Sequence, residues 1–277
     1  MSLLSTDVLR LFVSPRRVIA LRLTGLSRKS VALKQVYKAD PGHEVDWHGA
    51  MFGLESALRE LAGGVRKLEV LVSNHFAHYQ LLTPHGNAGN LTGEEERAYA
   101  RHCFSQVFGH DAEGWELRVS YERAGVPRVA CAMATDFITA LSARAEESGI
   151  KLVSVQPYLA AAFNQWRQQI DNRNLWLAVV EQGRLVLARF DDGKWCWLRS
   201  VRVGRRWMED LPDLVMREQH LAGIDAAAAG EVLVFCPEVA MLAVRRDSGF
   251  SIKQLQLPAR PGFSPVTDGA FGLALAG

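Results

Sequence analysis

Cysteine is scarce in this chain. The four present, Cys103, Cys131, Cys196 and Cys236, are far apart, and none sits in a C-x-x-C pair or at a metal-ligand spacing with histidine. Isolated thiols of this kind read as reduced, a cytosolic sign. Long apolar runs are missing too. Arg22, Arg184, Arg189 and Lys194 interrupt the longest candidates, and none approaches the ~20 apolar residues of a membrane span. Met1 to Phe12 lacks a basic segment followed by an apolar core, so no signal peptide is expected. Nor is there an excess of one charge. With 32 basic and 30 acidic residues the formal charge is +2, too small for the global field that collects nucleic acid. The expectation is a cytoplasmic chain with no direct membrane insertion, peripheral at an inner membrane only through a partner.

Catalytic signatures are equally sparse. There is no P-loop, no G-x-G-x-x-G fingerprint and no G-x-S-x-G elbow, and Ser14, Ser73 and Ser200 stand in no nucleophile setting. His75 and His78 are three apart in a segment read as strand or loop, and sequence nearby adds only His85. They are read as surface histidines, not metal ligands. No metal or catalytic residue is assigned.

What is present is an ordinary globular composition over 277 residues, 48% hydrophobic and 22% charged, enough for two lobes. Leu9 to Val13 and Arg17 to Leu23 read as strands around the turn Ser14-Pro15-Arg16. A helix from Asp46 to Leu61 is expected to follow directly, ending at Gly63-Gly64. Lys67 to Thr83 suggests another strand pair, and Thr92-Gly93-Glu94-Glu95 is a capping box for a helix to Phe108. Trp115 to Tyr121 and Val129 to Met133 read as strands, with a helix ending at Gly149. Leu152 to Val155 is a strand and Pro157 opens a helix to Ile170. Leu175 to Val180, Arg184 to Phe190 and Trp195 to Val203 form a second hairpin region, with Asp192-Gly193 as a strong turn. The remainder reads as a helix from Arg206 to Leu221 interrupted near Pro212, a buried strand at Glu231 to Phe235, an edge strand at Ser251 to Leu257 and a closing helix from Thr267.

Several stretches carry a family resemblance. Leu152-Val153-Ser154-Val155-Gln156-Pro157-Tyr158-Leu159 before an alanine-rich helix, Val72-Ser73-Asn74-His75-Phe76 leading toward Glu94-Glu95-Glu96-Arg97, and the closing Asp268-Gly269-Ala270-Phe271-Gly272-Leu273-Ala274-Leu275 are similar to the pilus assembly protein PilM, MshI-like proteins and the cytoplasmic part of the secretion protein GspL. This is a branch of the actin-like ATPase superfamily. The resemblance implies an α/β, actin-like (ribonuclease H-like) two-lobed fold, mixed sheets with helices on their faces, with 1–150 as the first lobe and 151–277 as the second. It further implies a cytoplasmic adaptor of a type IV pilus or type II secretion-like assembly, binding the short cytoplasmic segment of an inner-membrane protein.

Active members of that superfamily grip ATP and magnesium with two glycine-rich hairpin turns bearing an aspartate, and a third glycine pair faces the nucleoside. Glycine lets backbone amides approach phosphate, while the carboxylate holds hydrated magnesium. The first turn here, Ser14-Pro15-Arg16-Arg17, has neither glycine nor carboxylate, and Pro15 removes a donor. The second, Glu181-Gln182-Gly183-Arg184, keeps one acid and one glycine. At the third, Cys236-Pro237-Glu238 replaces the glycine pair. The expectation is a pseudo-ATPase without cofactor, the alternative being an actin-like ATP-binding protein or weak ATPase that takes ATP with Mg in an altered site through Glu181 and the arginines.

One cluster stands out beyond these turns. Trp195, Trp197, Arg199 and Trp207, with Arg202, Arg205 and Arg206, interleave aromatic and basic side chains. Alternation puts Trp195, Trp197 and Arg199 on one strand face. Such a face suits a strand covered by a helix, a protein contact, or base stacking on nucleic acid.

Overall fold

The apolar runs around Ser14-Pro15 form an antiparallel hairpin, β1 (Val8–Val13) and β2 (Arg17–Thr24), in the computed structural model, which describes residues 7–25, 29–43, 46–83, 93–123, 125–224, 230–244 and 249–277. Thr92 of the capping box and His85 lie outside the described residues. A third strand, β3 (Ser30–Lys38), continues the meander on β2 before any helix begins. Its sequence signal is weak because Lys34 and Gln35 dilute the apolar pattern at the edge of the sheet.

Helix α1 (His48–Leu61) buries Ala50, Leu54, Ala57 and Leu58. It approaches β2 and β3 closely at Gly53, where an added Cβ would come within 3.1 Å of both Val18 Cγ2 and the Lys38 carbonyl. Next, β4 (Lys67–Val72) runs parallel to β1, and β8 (Lys151–Pro157) runs parallel to β4. The sheet order is β3-β2-β1-β4-β8. Lys67 to Thr83 is therefore not a strand pair. Its second half, β5 (His78–Leu82), pairs instead with β7 (Arg128–Ala134) in a separate three-stranded sheet with β6 (Trp115–Val119). Adjacency along the chain misled here, because Ser73 to Ala77 carries the backbone away from β4.

Pro157 closes β8, and α4 (Tyr158–Ile170) begins one residue later. The buried side chain of Asn74 caps that start, its Oδ1 accepting from the Leu159 N–H at 3.1 Å. On the same sheet face Phe12 meets Tyr158 edge-on, with centroids 5.2 Å apart. One compact unit comprises Met1–Ala77, Met133–Gln165 and Leu257–Gly277, so it also holds α3 (Thr135–Glu147) and the closing 3-10 turns Gly269–Leu275.

The other unit comprises His78–Ala132 and Trp166–Gln256. Its small sheet packs on α2 (Gly93–Phe108) through Leu82, Ala100, Phe104, Ala130 and Ala132. Its large sheet has the order β11-β10-β9-β12-β13, from β9 (Leu175–Glu181), β10 (Arg184–Asp191), β11 (Lys194–Arg202), β12 (Glu231–Phe235) and β13 (Ser251–Leu255). Asp192 and Gly193 both take positive φ, 50° and 72°, the backbone that a two-residue β10–β11 hairpin requires. Helix α5 (Trp207–Leu221) covers one face of this sheet, its Leu211 and Val215 meeting Trp176, Ala178, Val180 and Val232. It is continuous through Pro212, against the expected interruption. The proline forfeits one helical hydrogen bond near the N-terminus, and its ring is buried.

Candidate functional site

At the first turn the backbone groups bond to their own chain. Ser14 donates to the Arg17 carbonyl through both its N–H, at 3.1 Å, and its hydroxyl, at 2.7 Å. The Arg16 carbonyl accepts from Ala39 N–H at 3.0 Å, and the Val13 carbonyl accepts from Ser73 N–H at 2.9 Å. Ser14 and Pro15 are buried, and Arg16 is exposed.

The second and third turns lie together in the other unit. Glu181 and Arg184 are cross-strand partners flanking Gln182-Gly183, and Gly183 has φ 82°. Glu181 is buried at 4% exposure. Because β12 runs parallel to β9, with Val179 beside Phe235, Cys236 emerges next to the end of β9. Burial pushes the Cys236 thiol up to about 12, and the charges of Glu238 and Glu181 push the same way. Both carboxylates therefore bear on one buried thiol. The carboxyl ends of adjacent parallel strands are where open α/β sheets bind ligands. The pairing of β9 with β12 spans some fifty residues of chain, so sequence reading could place each turn but not their meeting.

The tryptophan cluster is split by a β-bulge. Arg189 pairs with Trp197 but Phe190 pairs with Trp195, leaving Cys196 as the extra residue. Trp195 therefore faces the opposite side of the sheet from Trp197, which corrects the single-face reading. Trp195 is 6% exposed and packs on Phe190, with centroids 4.5 Å apart. Trp197 turns toward α5, where its indole N–H donates to Glu218 Oε2 at 3.3 Å. Arg199 Nε stands 3.8 Å from the same oxygen, and Arg217 donates to Oε1 at 2.8 and 3.2 Å. Glu218 is wholly buried. No motif signalled it, since a glutamate in a helix is ordinarily exposed. Trp207 packs at the margin of the same core.

His78 is half-buried, its ring stacked on Trp115 at 4.2 Å. Among the described residues no cluster of three or more His, Cys, Asp or Glu side chains could hold a metal ion, and no helix is long and apolar enough to cross a membrane.

Two mixed five-stranded sheets of one topology, each with helices on its faces, define the actin-like ATPase fold. The particular likeness is to a chain of the PilM-PilN type IV pilus biogenesis complex, at 12% identity and TM-score 0.67, covering 98% of each chain. The cytoplasmic domain of EpsL, an inner-membrane component of the Vibrio cholerae type II secretion system, is similar at 11% identity and TM-score 0.59, covering 98% of this chain and 96% of that one. A Bacteroides thetaiotaomicron protein of actin-like ATPase fold and unknown function is similar at 10% identity and TM-score 0.58, covering 83% and 82%. At such identities the likeness is one of fold. No family model matches the chain, and no curated protein matches it.

Proposed function

We propose that this protein is a non-catalytic adaptor of a type IV pilus or type II secretion-like assembly, binding the cytoplasmic segment of an inner-membrane partner. The observation that carries the reading is the first hairpin turn, closed on itself by Ser14 and Pro15 with neither glycine nor carboxylate, within a fold shared end to end with a chain of a pilus complex. Cys236-Pro237 in place of a glycine pair supports it, because a buried neutral thiol and a proline offer phosphate no backbone cradle. Of the aromatic and basic residues around β11, Arg199 and Trp207 keep exposed surface for a partner, whereas Trp195 has little to offer.

Calorimetry against peptides from the cytoplasmic segments of membrane proteins encoded beside this one tests the proposal. Saturable binding is expected, and its absence across the set overturns the reading. The competing reading, an ATP-binding protein or weak ATPase, is favoured by Glu181 and Gly183 at the second turn. Thermal melting with Mg-ATP separates the two. A bound nucleotide at a hundred times its Kd stabilises by about 2.7 kcal/mol, whereas the adaptor reading expects an unchanged Tm.

A further inference from the structure

The hairpin end of the second sheet carries a charge arrangement that folding does not require. Glu181, Arg184 and Arg202 stand in register across β9, β10 and β11, and residues paired on adjacent strands project from the same face. Arg184 and Arg202 are therefore directly opposed, and like charges so placed repel. Among the described residues, neither guanidinium has a carboxylate within ion-pairing distance, and the buried Nε of Arg184 has no hydrogen-bond partner. Glu181 offsets the positive charge in part, while Arg202 adds to it. Arg202 is exposed, so the row is open to solvent on that side.

A third group comes from β5, which packs beside β11. The ring of His78 is stacked on Trp115 and lies 5.0 Å from Phe108. Burial first, and then the Arg184 charge, hold this imidazole below the ordinary histidine range, with Asp111 opposing them. At neutral pH the imidazole is thus uncharged, and a neutral imidazole still carries one N–H donor. Two opposed guanidiniums, an unmet donor and a neutral imidazole on an aromatic wall make a cluster that a bound anion would complete.

We propose that Arg184 and Arg202, with His78 beside them, bind one oxyanion group, a carboxylate or a phosphate. A planar or tetrahedral oxyanion between two guanidiniums accepts charge-assisted hydrogen bonds from both and cancels their repulsion. Glu181 on the far flank sets the limit at one such group, since a second anion would meet its carboxylate. The inference goes beyond the adaptor reading and does not depend on it.

The test observes the arginine Nε–Hε resonances of the ¹⁵N-labelled protein during separate titrations with acetate and inorganic phosphate, with chloride holding ionic strength constant. A saturable shift of the Arg184 signal is expected, weakened at least fivefold in Arg202→Gln. The anion that saturates first tells a carboxylate from a phosphate site. A linear drift with both anions, no larger than in chloride, overturns the proposal. Because Arg202 is exposed, the variant keeps its fold, and its melting gives a second readout. In chloride Arg202→Gln is expected to melt at or above the parent temperature and to lose the anion-dependent rise. A lower melting temperature in chloride would mark the arginine pair as structural and sink the inference.

Discussion

The two five-stranded sheets share one strand arrangement, β3-β2-β1-β4-β8 in one unit and β11-β10-β9-β12-β13 in the other, with an antiparallel meander on one side and parallel neighbours on the other. Their polar chemistry differs. In the first sheet a charged residue of the central strand finds its partner in register, Arg10 Nε donating to Glu69 Oε2 at 2.7 Å on adjacent β4. In the second, Arg189 on β10 lies over the Trp176 ring at 5.8 Å with its Nη1 lacking a hydrogen-bond partner, and the buried carboxylate belongs to α5. The central strand of the first sheet thus finds its counter-charge on a neighbouring strand. The second takes its buried carboxylate from a helix, and among the described residues two arginines at its hairpin end have no ion-pair partner. Topology constrains the apolar layers of such a fold, while the polar groups at strand ends are free to diverge.

The largest expected effect breaks each unit at a glycine with no room for a side chain. Gly262, with φ 79°, would drive a Cβ into the Val31 carbonyl oxygen, and Gly193, with φ 72°, would bring one to 2.6 Å from the Asn172 nitrogen. Gly262→Ala is expected to cost about 3 kcal/mol and Gly193→Ala slightly less, measured by urea titration, since both combine strained φ with a backbone clash. Equal, small losses would mean that both turns relax freely.

Next in size is the contrast between helix-supplied and in-register pairing. Glu218→Ala strips a wholly buried acceptor from Trp197, Arg199 and Arg217; the expected loss is about 2 kcal/mol, the half-exposed arginines sparing part of a fully buried pair's penalty. Arg10→Ala, at the partly exposed pair of the first sheet, is expected to cost about 1 kcal/mol. A reversed order would refute the view that the second sheet depends on its helix.

The two hairpin turns give smaller effects of different origin. Ser14→Ala removes a hydroxyl bonded to the Arg17 carbonyl, an expected loss of about 1 kcal/mol. Gly183→Ala strains a positive φ of 82°, an expected loss again of about 1 kcal/mol. If Mg-ATP binds, it should protect the Gly183→Ala variant less than the parent.

The last effect is absent near neutral pH and grows only in alkali. Burial holds the Cys131 and Cys236 thiols of the second unit up to about 12. Unfolded thiols ionise from about pH 9, so above that pH the unfolded chain binds fewer protons than the folded one, and stability falls as pH rises. Tyr37 of the first unit is also raised, by burial and by its hydrogen bond to Glu60. Its contribution starts about one unit later, at the ordinary phenol range. Cys236→Ala should flatten the stability slope from pH 9, and Tyr37→Phe only from about pH 10, as read by unfolding titrations across that range.

Much of this fold was legible where turn chemistry is local. Asp192-Gly193 announced its hairpin, Ser14-Pro15 marked another, and the apolar spacing of α1 and α4 gave those helices directly. What failed was non-local. β3 was missed because an edge strand tolerates Lys34 and Gln35 on its open face. The separation of β4 from β5 depends on β7, more than forty residues on. The bulge at Cys196 inverted an alternation that the sequence alone supports. At the candidate site the residues of all three turns could be named beforehand, but the approach of Cys236 to Glu181, and the opposition of Arg184 and Arg202, arise from strand pairing that no local pattern encodes.

The Cys196 bulge has a practical side. Because it rotates the strand by one residue, two tryptophans only two positions apart report on separate apolar layers, Trp195 beside Phe190 and Trp197 beside α5. Because the chain holds seven tryptophans, it is the difference in intrinsic fluorescence between the parent and a Trp195→Phe or Trp197→Phe variant that isolates the chosen layer. Loosening of α5 could then be followed separately from events across the sheet, without attaching a dye.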